Sequence, residues 1–211
     1  SQYSYGNTIV FVYNGYPTPY NVRQEIFLSF IVQEGNHIES GQWNLTLIPR
    51  NIRNGEYQMW LPVSSGNNQE TRFLEPDKEF TLTIPSTAEN VISAGAYDVR
   101  YQSYADFSGR GDQRYGVKKP DLVAPGVGIL AAAPGGGENS LSGTSMATPF
   151  VTGSAALLME WGIIRKNDPY LYGERIKAYF HKGARKMNGF WDYPNNEIGY
   201  GKLCVAASLY K

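Results

Sequence analysis

Gly143-Thr144-Ser145-Met146-Ala147-Thr148-Pro149 leads straight into an apolar helical stretch, which makes Ser145 the side chain with the most chemistry to offer. A serine hydroxyl is a weak nucleophile at neutral pH and needs an adjacent base. A helix start helps: free backbone N–H groups and the positive end of the dipole face developing negative charge. The competing reading is a serine that only caps the helix, a role serine favours. The chain has two histidines that could act as base. His181, in Tyr179-Phe180-His181-Lys182, follows a predicted helix and reads as packing or capping its end. His37 lies in a polar turn, Glu34-Gly35-Asn36-His37-Ile38-Glu39. A metal held there by Glu34 and Glu39 would lack further histidine or cysteine ligands, so no metal is expected. Asp98, Asp106, Asp112 and Asp121 are scattered and form no calcium loop.

Three further motifs have plainer readings. Arg110-Gly111-Asp112 spells an adhesion tripeptide but reads as a tight turn. Pro134-Gly135-Gly136-Gly137 lacks the Gly-Lys-Ser/Thr of a phosphate loop and reads as flexibility beside the nucleophile. Asn44-Leu45-Thr46 is a glycosylation sequon inside a predicted strand.

The elements that must position Ser145 divide near Pro76. Before it, Ile26, Leu28, Phe30 and Val32 recur with period two. Trp43, Leu45 and Leu47, then Tyr57, Met59 and Leu61, alternate in the same way. Asn14-Gly15, Ser40-Gly41 and Asn54-Gly55 supply turns, so residues 1–78 read as an all-β antiparallel sandwich or jelly roll. After it, 81–85, 91–96 and 122–126 read as strands. A helix over 148–161, apolar all round, reads as buried between layers. Asn167-Asp168-Pro169 is placed to start another. Strands alternating with helices make residues 79–211 an α/β layer.

With 42% apolar and 18% charged residues, the 211-residue chain has the composition of a globular core. Sixteen tyrosines and four tryptophans suit β-structure. Zero net charge gives no reason to expect nucleic acid or an anionic membrane as partner. The single Cys204 cannot form an internal disulfide. No apolar run approaches the roughly 18 to 20 residues of a membrane span. No signal peptide is visible.

Five collinear segments resemble the subtilisin-like serine peptidases, the subtilase family. Ile84-Pro85-Ser86-Thr87-Ala88 through Gly95-Ala96 is similar to the strand after the family's oxyanion-hole region. Phe107-Ser108-Gly109-Arg110-Gly111 resembles its Phe-Ser-x-x-Gly turn, and Lys119-Pro120-Asp121 through Ala124-Pro125-Gly126 its Lys-Pro-Asp-x-x-Ala-Pro-Gly segment. Ser142 to Pro149 resembles the nucleophile motif, and Gly199-Tyr200-Gly201 the closing strand. Ser40-Gly41-x-Trp43 and Met59-Trp60-Leu61-Pro62 resemble the inserted jelly roll of the bacterial spore-germination subtilases.

The resemblance implies the C-terminal part of a three-layer, parallel-sheet catalytic domain. It makes Ser145 the nucleophile and its backbone N–H an oxyanion-hole donor. Gly126, Val127 and Gly128 would border the substrate groove. The family's Asp-Thr/Ser-Gly and His-Gly-Thr segments have no match in this chain. The Asp and His would therefore lie in an N-terminal part of the same peptidase, and this chain alone would be inactive. No cofactor is implied; the partners would be a peptide or protein substrate and that N-terminal part. A secreted, cell-envelope or spore-associated location would follow. The rival expectation is a pseudoenzyme or binding module whose sandwich recognises protein or glycan.

Overall fold

Strands β1 (Gln2–Tyr5), β2 (Thr8–Gly15) and β3 (Glu25–Val32) pair antiparallel in that order, and β3 is the predicted period-two run. They belong to the first of two compact units, Ser1–Gln58 and Met59–Lys211, in a computed structural model that describes residues 1–35, 37–62, 70–112 and 118–209. Asn36, inside the predicted polar turn, lies outside the described residues. Gly6, at φ 54°, takes the left-handed conformation of the β1–β2 turn. The predicted turn at Asn14-Gly15 instead forms the last two rungs of the β2–β3 ladder, and the connection spans 16–24. Pro17 and Pro19 there have no N–H to continue the pairing.

One face of this sheet buries Thr8 and Val10, with Trp43 edge-on to Tyr5 and Phe30 at ring separations of 5.5 and 5.0 Å. The other face leaves Phe11, Tyr13, Phe27 and Ile31 exposed. The predicted strands over 43–47 and 57–61 form no ladder. Alternation fixes which face a side chain takes, but a strand also needs a partner for its N–H and C=O groups.

In the second unit β4 (Ala94–Asp98) lies between antiparallel β5 (Ser103–Tyr104) and parallel β6 (Leu122–Pro125). Leu122, Val123 and Ala124 are wholly buried, as a strand covered on both faces requires. The predicted strand at 81–85 is absent. Phe80 and Thr81 donate to Gly111 and Arg110 carbonyls, and Pro85 offers no N–H to extend them. A hairpin follows, β7 (Ile129–Ala132) with β8 (Glu138–Leu141). Gly135, Gly136 and Gly137, at φ 85°, 100° and 78°, make its tip.

Helix α1 (Thr144–Met159) continues through a π-turn, Glu160–Ile164. By length and composition Thr144–Ile164, 21 residues, is apolar enough to cross a membrane, so the hydropathy reading of the sequence was too strict. It packs on the sheet instead: Ala147, Val151, Ser154 and Leu158 form one buried stripe against Ala96, Leu122 and Ala124. The opposite side is uncovered in the described residues, where burial all round was expected. Helix α2 (Glu174–Gly183) starts later than the Asn167-Asp168-Pro169 signal, because Gly173 at φ 54° breaks the run. Asp168 grips α2 from the side through Arg175 (2.5 Å) and Tyr179 (2.8 Å). Helix α3 is short, Val205–Leu209.

Asp121, just before β6, ties these pieces together. Its Oδ2 accepts from the Ser93 N–H and Lys119 Nζ, each at 2.7 Å. Its Oδ1 faces Lys177 Nζ at 3.1 Å and His181 Nε2 at 3.0 Å. Its backbone carbonyl accepts from the Tyr200 N–H at 2.9 Å. Burial opposes its ionisation, yet hydrogen bonds from His181, Lys119 and the Ser93 amide hold its pKa at about 2, against an ordinary 3.8.

A carboxyl depressed by folding stabilises the protein above its unfolded pKa, near 4, and loses that contribution as pH falls through about 2. The contribution is about 2 kcal/mol at neutral pH. Asp121→Asn strands two ammonium groups and should cost about 3 kcal/mol or more in urea unfolding at pH 7. It should also flatten the loss of stability between pH 4 and 2; an unchanged profile would contradict the assignment.

Candidate active site

Ser145 is the second residue of α1, and its side chain is exposed. Gly143 is the N-cap and supplies no side chain, so α1 has no side-chain cap. Among the described residues the Ser145 hydroxyl makes no hydrogen bond, which removes the capping reading. The Gly143 carbonyl accepts from the amides of Met146 (3.0 Å) and Ala147 (3.4 Å) and closes the first turn. The Thr144 and Ser145 amides precede that turn and have no acceptor among the described residues. Pro149 brings no N–H to the Ser145 carbonyl. The result is an accessible hydroxyl beside two free N–H donors at the positive end of a 16-residue helix.

This geometry is fixed from β6. The Gly126 amide donates to the Tyr97 carbonyl (3.1 Å), and the Gly126 carbonyl accepts from Gly143 (2.8 Å), two residues before Ser145. One turn further on, the Gly128 amide donates to Ser142 Oγ at 2.9 Å. A β-carbon on Gly126 would lie 2.6 Å from Ala96 Cβ and 3.0 Å from the Gly143 carbonyl oxygen, so only glycine permits this approach. Gly126, Val127 and Gly128 thus stand beside the loop that leads to Ser145, with Val127 packed on the core and Gly128 exposed.

The other sequence candidates lie elsewhere. His181 spends its Nε2 on Asp121 and stacks its ring on Tyr200 at 3.8 Å and 8° between planes. Its ring is thus engaged at Asp121, before the start of β6, whereas Ser145 follows the loop bonded to Gly126 past the end of that strand. The His37 carbonyl accepts from Asn7 Nδ2 at 3.3 Å, and the Glu39 carboxylate from the Asn7 amide at 3.0 Å. No group of three or more His, Cys, Asp or Glu among the described residues could hold a metal ion. Arg110 pairs with Glu197 (3.3 Å) and Glu79 (3.5 Å), and Asp112 is buried, so the tripeptide is not presented as an adhesion loop. Sequence reasoning missed the Asp121 hub; Lys119, two residues away in the Lys-Pro-Asp segment, was its one local signal.

A model of the subtilase family matches residues 33–201. The chain belongs to the subtilase family. It is 33% identical over 167 residues to the serine protease AprX of Bacillus subtilis, covering 70% of this chain and 34% of AprX. With subtilisin-like protease 1 of Trichophyton equinum it shares 42% identity over 106 residues, 49% of this chain and 18% of that protein. Among solved structures, the Clostridium perfringens CspB protease superposes with a TM-score of 0.79 at 40% identity, covering 99% of this chain and 44% of CspB. The prenylagaramide maturation protease PagA gives 0.53 at 34% identity, over 63% of this chain and 46% of PagA. The chain thus spans about a third of AprX and under half of CspB.

Gly126→Ala should lower stability by about 1 to 3 kcal/mol, the usual cost of forcing one extra carbon into a packed contact. Wild-type stability in thermal unfolding would mean the close approach to Ala96 and Gly143 is not needed.

Proposed function

We propose that this chain is the nucleophile-bearing portion of a subtilisin-like serine endopeptidase, completed by an N-terminal portion that carries the base and its carboxylate. One observation carries the reading: the uncovered side of α1 begins at the nucleophile. At 100° per residue, Ser145, Pro149, Thr152, Ala156 and Met159 share one face, opposite the buried Ala147, Val151, Ser154 and Leu158. Whatever supplies the base must approach over this face. Its small side chains favour close packing of the incoming element.

In the completed site Ser145 Oγ attacks the peptide carbonyl while the base takes its proton. The oxyanion is received by the Ser145 N–H. The base then protonates the leaving amine, and water hydrolyses the acyl-serine by the reverse sequence. Gly126 and Gly128 border the pocket for the residue before the scissile bond, where their missing side chains leave room. In subtilisin itself, loss of the base costs about 10⁶ in kcat, which is why this chain alone is inactive. The match to CspB and AprX supports the peptidase reading, as does a serine hydroxyl left free at the helix start. On the same reading residues 79–211 are part of a three-layer parallel-sheet domain, and 1–78 one sheet of a jelly-roll insert whose other sheet covers Phe11, Tyr13, Phe27 and Ile31.

A fluorophosphonate probe, read by mass at Ser145, tests this on the chain alone and mixed with the N-terminal portion of a close subtilase. Labelling in the mixture only is the expected result. Labelling of the chain alone would reveal a base within it and overturn the two-part account. No labelling in either state would favour a scaffold that binds without cutting.

A further inference from the structure

The outer strand of the N-terminal sheet, with the residue after it, reads Glu25-Ile26-Phe27-Leu28-Ser29-Phe30-Ile31-Val32-Gln33. From either end the chemistry is the same: polar, branched aliphatic, two large apolar residues, then the central serine. One side of β3 pairs with β2 without a bulge, from Thr8↔Val32 to Gly15↔Glu25. No other strand among the described residues takes the second side. Natural edge strands are blunted by lysine, proline, bulges or shortness. β3 has eight residues and none of these devices. Ile26, Phe27 and Ile31 are all exposed.

We propose that β3 is a self-complementary edge through which two copies of this chain pair antiparallel about a two-fold axis at Ser29. An isologous contact requires that residue i meet j wherever j meets i, and this sequence satisfies the condition. Ser29 faces its own copy, Leu28 faces Phe30, Phe27 faces Ile31 and Ile26 faces Val32. Glu25 meets the neutral Gln33 at both ends, and the two Glu25 carboxylates stand about 27 Å apart along the ladder. Centring the axis on Leu28 instead would set Phe27 against Ser29 and Glu25 against Ile31. A one-residue slip would oppose side chains from opposite faces of the two sheets. Matched apolar pairs and the absence of opposed like charges therefore select one register. The product is a six-stranded sheet with the buried Thr8–Val10 face of both copies on the same side.

Sedimentation of the full chain tests this. A species of twice 23.5 kDa should form with a dissociation constant on the order of micromolar. In a Cys204→Ser background, Ser29→Cys should yield a disulfide-linked dimer on mild oxidation. Opposed Cα atoms in such a ladder lie about 4.5 to 5.5 Å apart, within disulfide reach. Ser4→Cys, on the same face of β1, should stay unlinked. Ser29→Lys should restore the monomer by opposing two ammonium groups. A monomer throughout the concentration range would overturn the proposal. So would a dimer that neither cross-links through position 29 nor dissociates with Ser29→Lys.

Discussion

The hydrogen bond from the Gly143 amide to the Gly126 carbonyl is the joint on which this site depends. It ties the loop before α1 to the end of β6, and β6 is itself fixed in parallel register with β4 from Ala94↔Leu122 to Tyr97↔Pro125. Ser145 is therefore located mainly by backbone contacts, with Ser142 Oγ adding one side-chain bond to the Gly128 amide. On the proposed function, that suits a hydroxyl that stays unbonded until substrate and base arrive. It also explains why glycine stands at position 126, where any β-carbon would push the strand and the loop apart.

The opposite end of the same strand is anchored differently. Asp121 holds β4, α2 and the closing Tyr200 segment around one buried carboxylate, with a hydrogen-bond partner for each oxygen. Two ammonium groups face that carboxylate, and His181 Nε2, 3.0 Å from Oδ1, completes the set. The arrangement separates the roles along β6: charge at its start holds the layers, and an uncharged backbone joint at its end presents the serine.

The legibility of these features in the sequence followed the range of the interactions behind them. The turn into α1, its Pro149 and the apolar Leu122-Val123-Ala124 run are local patterns, and each appears where it was read. The strands over 43–47 and 57–61 had the right alternation, but pairing is a property of two segments and the pattern described one. The Asp121 hub draws on Ser93 and His181, 28 and 60 residues away, and no spacing rule connects them. For α1 the composition suggested burial on all sides. Its Ser145 side is instead exposed among the described residues.

That open side can be measured directly. In a Cys204→Ser background, a cysteine replacing Ala156 sits on the Ser145 side of α1, and its alkylation rate by a small maleimide reports cover. Rapid alkylation is expected in this chain alone, and strong protection once the base-bearing portion of a subtilase is added. Equal rates in both states would mean that nothing docks along the Ser145 side of the helix, and the two-part reading of the site would fail.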